Sequence, residues 1–267
     1  MSLAPDPIVI FGAPRSGTTF LNELLNAHPL VHVTHEMRLF VWAHQALNDW
    51  AKKDRFLVTH REEFVEFLRG RLAETIRDFY AHTWPEITYW GDKNPLYGDY
   101  TNRGCLDTIR RMFPNARFVH IIRDGRDVVS SLVRRKTADG QPWADVERAA
   151  WTWRDTVAIG AAFGRKVGPD GYLALRYEDL VRDGLAHARD LLRFLGIPPH
   201  PAVDDFCLRE AQQRSAFSAP TRNLETGDVL RSDWATALTD ADREAAIAIL
   251  EPTLVDLGYL ARPGARS

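Results

Sequence analysis

Two periods of apolar residues alternate along the chain. Short continuous runs such as Ile8-Val9-Ile10-Phe11 and Phe118-Val119-His120-Ile121-Ile122 have the character of strands buried on both faces. They predict strands over 8–11, 31–33, 88–90, 117–122 and 172–176. Between the runs, apolar residues return every three or four positions, which predicts helices over 18–27, 61–80, 102–113, 143–163, 180–195 and 240–257, with one more beginning after Asp124. In the first helix Phe20, Leu21, Leu24 and Leu25 share a face, and His28-Pro29 ends it because the residue before proline is pushed from helical angles. In the second, Phe64, Phe67, Leu68, Leu72, Ile76 and Phe79 mark the apolar face. Asp124 suits a helix cap and Asp127 the first turn after it, with Val128, Val129, Leu132 and Val133 turned to the core. The last helix carries Ile247, Leu250, Leu254 and Leu257 on one side.

Strands that alternate with helices predict an α/β architecture, a central parallel sheet with helices on both faces. In such sheets ligands bind outside the C-terminal ends of the strands, which would gather residues 12–19, Glu36, Lys93, Arg123 and Tyr177 into one crevice. No repeat, low-complexity tract or long linker divides the chain, so residues 1–267 are expected to form one domain with a loosely packed tail from about 261 to 267. Residues 136–142 are the best candidate for a mobile loop, and 215–233 reads as loop-rich.

Composition narrows the function classes. The hydrophobic share, 45%, and the charged share, 26%, are those of a soluble globular protein. A net charge of −2 argues against broad electrostatic capture of nucleic acid or anionic membrane, while leaving room for a locally basic pocket. Cys105 and Cys207 lie far apart without metal-ligand spacing and read as reduced thiols, one disulfide being the alternative. No stretch reaches the roughly 20 apolar residues that span a bilayer. The first predicted strand starts too near the N-terminus to leave room for a signal peptide, so the expected location is cytoplasmic.

The candidate chemistry begins where the first strand meets the first helix. Gly12 and Gly17 bracket Ala13-Pro14-Arg15-Ser16, the spacing of a phosphate-cradling P-loop. Glycines let the chain wrap an anion, and amides at the helix start point their N–H groups at it. The lysine that would reach the outer phosphates of a nucleoside triphosphate is missing; Thr18 and Thr19 follow Gly17, and the nearest cation is Arg15. Further on, Arg123 ends a predicted strand and Ser131 lies on the helix that follows. The arginine can offer a bidentate fork, and the serine a hydroxyl, to a second phosphate. An alternative makes Asp124 a magnesium ligand in the manner of a Walker B carboxylate.

Ala13-Pro14-Arg15-Ser16-Gly17-Thr18-Thr19-Phe20-Leu21, together with Ile122-Arg123-Asp124-Gly125-Arg126-Asp127-Val128-Val129-Ser130-Ser131, resembles the two signatures of the sulfotransferases that use 3′-phosphoadenosine 5′-phosphosulfate (PAPS). Arg176-Tyr177-Glu178-Asp179-Leu180 is similar to a later segment of that family. The resemblance implies a P-loop-type three-layer fold, with Arg15, Ser16, Gly17, Thr18 and Thr19 on the 5′-phosphosulfate. It implies Arg123 and Ser131 on the 3′-phosphate, and Tyr177 near the nucleotide. A narrower resemblance is to the tyrosylprotein sulfotransferases and their bacterial relatives, and it implies Glu36 of Glu36-Met37-Arg38 as general base and Lys93 of Lys93-Asn94-Pro95 on the transferring group. Glu36, Lys93 and Arg15 are then the expected catalytic residues. The late basic segment that closes over the nucleotide is poorly matched, Arg222 and Arg231 being the nearest cations.

In-line passage of a sulfuryl group to an acceptor hydroxyl or amine requires positioning and stabilisation of charge on the leaving phosphate. The transferring group carries less negative charge than a phosphoryl, so side-chain cations and backbone amides can suffice without a metal. The implied partners are PAPS as cosubstrate and a small or conjugated acceptor, with neither nucleic acid nor a membrane span. A P-loop kinase or phosphotransferase is the second reading, and a non-catalytic nucleotide-binding module the third. On the residues alone, Glu36 can instead be a solvated carboxylate paired with Arg38. His35 is a second base or a cleft residue, His120 a core histidine, and Trp42, Trp50, Trp84 and Trp90 either shape an acceptor pocket or pack.

Overall fold

Five parallel strands form the sheet: β1 (Ile8–Phe11), β2 (Val31–His35), β3 (Tyr89–Lys93), β4 (Arg117–Ile122) and β5 (Tyr172–Arg176), in the order β2-β3-β1-β4-β5. This computed structural model describes residues 3–53, 60–135, 144–217 and 234–261, with the side chains at 49–53 and 213–217 excepted. Arg222, Arg231, the 136–142 loop and residues 262–267 lie outside the described residues, as does the side chain of Trp50.

β1 lies between β3 and β4, with Ile10 opposite Lys93 on one side and Val119 on the other. Every residue of β1 is buried, as a central parallel strand requires. Alternation sends Ile8 and Ile10 to one face and Val9 and Phe11 to the other. The Ile8 face packs on α1 (Thr18–Asn26), α8 (Gly184–Leu195) and α9 (Pro201–Phe217) through Leu21, Leu24, Leu191 and Val203. The Phe11 face packs on α2 (Leu39–Lys53), α3 (Arg61–Thr83) and α4 (Cys105–Met112) through Phe40, Ile76 and Ile109. α5 (Gly125–Arg134), α6 (Val146–Val167), α10 (Trp234–Ala237) and α11 (Asp240–Asp256) share a third cluster around Trp153, Leu132 and Leu250, with Trp234 packed against it. From β1 the chain builds one half of the sheet and then crosses back to build the other, so the reversal of strand order falls at the end of β1.

The pattern located every strand among the described residues, with differences at the edges. β3 continues to Lys93, so Gly91-Asp92-Lys93 belong to the buried sheet rather than to the loop after it. α3 buries Leu72, Ile76 and Tyr80, while Phe67 (65% exposed) and Phe79 lie on its outer side. The helix expected over 102–113 begins at Cys105, preceded by 3₁₀ turns over Pro95–Gly98 and Tyr100–Asn102. The one expected over 143–163 runs from Val146 to Val167. The one expected over 180–195 is two helices, α7 (Tyr177–Arg182) and α8, because Asp183 caps α8 by accepting from the N–H of Ala186. The stretch expected to be loop-rich begins inside α9, which reaches Phe217. Cys105 and Cys207 are buried and not joined in a disulfide, and burial pushes the Cys105 thiol up to about 12. Among the described residues no helix is long and apolar enough to cross a membrane.

Candidate active site

The segment after β1 turns sharply at Pro14-Arg15, where the Ser16 N–H donates to the Ala13 carbonyl at 3.0 Å. Arg15 has φ 75° and Gly17, the residue before α1, has φ 95°. At Gly17 glycine is required twice over, since a Cβ would also stand 2.3 Å from Cδ2 of Tyr177. α1 starts with no side-chain cap and no acidic residue in its first turn. Its first N–H groups therefore keep their partial positive charge for an external anion. The hydroxyl of Ser16 is buried without a hydrogen-bond partner, a second donor the fold leaves unused. These features fit a phosphate or sulfonate group.

The second signature meets the first through one contact. Arg15 Nε donates to Ser131 Oγ at 3.0 Å, joining the P-loop to α5 across 116 positions of sequence. Pro14, Arg15, Thr18, Thr19 and Ser131 line one side of a cavity of about 760 Å³, within the range of nucleotide-sized sites. Arg134 and Arg135 line it too, so three guanidinium groups face a space whose only acidic lining residue, among the described residues, is Glu36. Sequence reasoning passed over these two arginines, although Arg134 stands one helical turn beyond Ser131.

Arg123 and Tyr177 are set behind this wall. The guanidinium lies 4.8 Å from the centroid of the Tyr177 ring, donates to the Arg15 carbonyl at 3.4 Å and pairs with Asp127 at 3.4 Å. Tyr177 in turn packs on Gly17. Arg123 thus touches the P-loop backbone rather than the hydroxyl of Ser131. Asp124 caps α5 at the N–H of Arg126, and its carboxylate also pairs with the Arg126 guanidinium at 2.6 Å. Among the described residues no His, Cys, Asp and Glu cluster has a metal-binding arrangement.

The cavity's other wall comes from the ends of β2 and β3. His35 pairs with Lys93 in the sheet register, and the Glu36 N–H donates to the Lys93 carbonyl at 2.8 Å. The Lys93 ammonium, 1% exposed, donates to Glu36 Oε1 at 2.7 Å and to His35 Nε2 at 2.8 Å. His35 Nε2 therefore carries the lone pair in this arrangement. Glu36 is half-exposed and its partner is Lys93, not Arg38. Glu36 and Arg38 have φ 58° and 64°. With Arg15 they are the described non-glycine residues in the left-handed region, and all three fall in the segments that build this site.

His120 is neutral and removed from this chemistry. It stacks on Phe11 with centroids 4.5 Å apart, and its Nδ1 meets the Tyr172 hydroxyl at 2.7 Å. Burial pushes its pKa down to about 3. Trp90 is packed in the core, whereas Trp42 is 55% exposed on α2.

Residues 7–201 match the family described as "Sulfotransferase family". A protein-tyrosine sulfotransferase of Drosophila melanogaster is 29% identical over 73% of this chain and 39% of its own. Protein-tyrosine sulfotransferase 1 of Danio rerio is 30% identical over 94% of this chain and 72% of its own. The chain spans about half the length of several other curated relatives it matches. Among solved structures, the sulfotransferase domain of a Synechococcus olefin synthase superposes with TM-score 0.59 at 23% identity, covering 94% of this chain and 95% of that one.

Proposed function

The chain belongs to the sulfotransferase family, and from that premise we propose that it moves a sulfuryl group from PAPS to an acceptor hydroxyl or amine by in-line transfer. The observation that supports this reading is the Arg15–Ser131 contact: one residue of each signature lines a cavity whose far wall includes Glu36, and the buried Lys93 is bonded to Glu36 from behind. PAPS, when bound, supplies the sulfuryl group and a good leaving phosphate. Arg15, Ser16, Thr18 and Thr19 hold the 5′-end at the start of α1, where fixed N–H dipoles meet the charge that collects on the leaving oxygen without reorganising. Ser131 and Arg123 serve the 3′-phosphate, and Tyr177 braces Arg123 against the loop.

Lys93 and Glu36 work as a pair. In this structure two donors of the ammonium are given to Glu36 and His35, which leaves one N–H for the oxygen that departs with the phosphate. Donation to that oxygen would turn the Lys93 ammonium from Glu36 and loosen its hold on the carboxylate. The half-exposed Glu36 carboxylate then takes the acceptor proton, a step worth about 10²–10⁴ in rate.

The test is thermal stabilisation by PAP (the desulfated product) against adenosine 5′-phosphate, read with sulfate release from PAPS. PAP should stabilise the protein more than adenosine 5′-phosphate by mass-action linkage. Arg123→Ala should erase most of that difference. Equal stabilisation by the two nucleotides in the wild type would remove the 3′-phosphate site from the proposal.

A further inference from the structure

One carboxylate beneath the site is unused by the chemistry above. Asp92 precedes Lys93 on β3 and is 1% exposed. Its Oδ1 accepts from the Thr34 hydroxyl at 2.6 Å and from the backbone N–H of Met37 at 3.1 Å. Its Oδ2 accepts from the hydroxyl of Tyr97. Those contacts reach separate parts of the cavity. Met37 sits between Glu36 and Arg38, the two left-handed residues of the turn that presents Glu36. Tyr97 belongs to the 3₁₀ turn whose Pro95 and Leu96 line the same cavity. The Tyr80 hydroxyl, which lies beside Thr34 Oγ1, donates to the Gly91 carbonyl at 2.7 Å and ties the network back to the sheet.

The turn over 35–38 is exposed, so little side-chain packing holds it. Left-handed backbone at a non-glycine residue is unfavourable and persists only where surrounding contacts over-determine it. The bond between Glu36 N–H and Lys93 carbonyl fixes one end of this turn and the bond between Trp42 N–H and Arg38 carbonyl fixes the other. Met37 N–H is the middle of it. Burial raises the Asp92 carboxyl pKa while its hydrogen bonds from Thr34, Tyr97 and Met37 oppose the rise, so the fold surrounds an unfavourable charge with donors rather than an apolar side chain.

We propose that Asp92 is a positioning residue, which sets Glu36 against the Pro95-Leu96 wall by holding Met37 N–H and the Tyr97 hydroxyl on one carboxylate. The inference rests on Glu36 being the base. It concerns where the base stands, not its identity.

Amide hydrogen exchange on the full chain tests the hold directly. In the wild type the Met37 amide should exchange slowly for an exposed turn; exchange at the rate of an unprotected amide overturns the proposal. Asp92→Ala should speed exchange at Met37 at least tenfold and leave Ile10 in β1 unchanged. Asp92→Asn keeps an acceptor oxygen and should stay near the wild type. Kinetics with PAPS and either 4-nitrophenol or 4-methylphenol supply the functional arm. In Asp92→Ala, kcat should fall at least tenfold, more for the less acidic phenol, with PAP-induced thermal stabilisation retained and activity recovered in Asp92→Asn. An unchanged kcat in Asp92→Ala, or no recovery in Asp92→Asn, overturns the proposal. Should Asp92→Ala not fold, the wild-type exchange rate at Met37 decides. Glu36→Gln is run alongside: full activity there sinks the base assignment, while the exchange data still decide what Asp92 holds.

Discussion

Replacing Lys93 by methionine separates a catalytic role from a structural one more sharply than any other single change at this site. The two side chains are similar in length, so the volume at a position 1% exposed is kept. What disappears is an ammionium shared by Glu36 and His35. Removing one donor aimed at developing negative charge lowers kcat by about 10²–10³, or about 2.7–4 kcal/mol of barrier. The stability change has a different sign structure. An exposed ion pair contributes about 0–1 kcal/mol, and breaking a fully buried one costs about 3–5 kcal/mol. Here the lysine is buried and the glutamate is 47% exposed, so the orphaned carboxylate can be hydrated while the desolvation of the ammonium is relieved. Lys93→Met should therefore shift stability by no more than about 1 kcal/mol, in either direction. Glu36→Ala leaves the buried ammonium with His35 alone and should cost more, about 1–2 kcal/mol, between those two limits.

The assay pairs urea denaturation with steady-state kinetics on PAPS and a fixed acceptor. The expected result is a large loss of kcat in Lys93→Met with a denaturation midpoint close to the wild type. A kcat within a few-fold of the wild type would refute the role of Lys93 in transfer. A loss of stability as large as that of Glu36→Ala would refute the reasoning from the unequal burial of the pair.

Two further substitutions probe the supporting structure. Gly17→Ala places a methyl 2.3 Å from the Tyr177 ring on backbone with φ 95°, and should cost about 1–2 kcal/mol from φ alone plus the clash; calorimetry on Gly17→Ala with and without Tyr177→Ala should show partial relief, and strict additivity would refute the packing argument. His120→Asn tests the buried neutral imidazole. Its folded pKa lies below the usual 6.5, so its contribution is present above that value and lost as pH falls from 6.5 toward 3. Between pH 7 and pH 5 the wild type should lose about 2 kcal/mol more than His120→Asn, at about 1.4 kcal/mol per unit below 6.5. Parallel losses in the two proteins would show that the imidazole is hydrated.

What the sequence discloses about this site is what lies contiguous in it. The P-loop and the strand-to-α5 segment are read from neighbours along the chain, because glycine spacing and the change of period from strand to helix are local properties. Arg134 and Arg135 escape that reading since they lie beyond Ser131 and face the cavity only through the pitch of α5 and the extended residue that ends it. Asp92 escapes it because its partners, Thr34, Met37 and Tyr97, are brought together by the pairing of β2 with β3 and by the turn after it. α2 is hidden by a continuous apolar start, Leu39-Phe40-Val41-Trp42-Ala43, which has no helical phase until Leu47. The misplaced face of α3 has a related cause. Phe67 fits the periodic stripe, yet it is Val65, Leu68, Leu72, Ile76 and Tyr80 of α3 that pack on the core.

The three left-handed residues show how the two halves of the cavity are made rigid by different means. Arg15 is held by side-chain and backbone contacts, from Ser131 to its guanidinium and from Arg123 to its carbonyl, so the anion side is locked from α5 and β4. Glu36 and Arg38 are held through the backbone, from Lys93, Asp92 and the first turn of α2. Both sets of ties converge on the ends of β1, β3 and β4, whose parallel pairing keeps those ends in register. Transfer between two bound reactants gains most when the reacting atoms are confined to a near-attack arrangement before the chemical step. A rigid sheet edge with strained turns on it meets that need, because the strain is taken up during folding and not at each turnover. The half-exposed Glu36 carboxylate is the member of the pair nearer solvent, and the proposed transfer asks it to take a proton once Lys93 has turned from it.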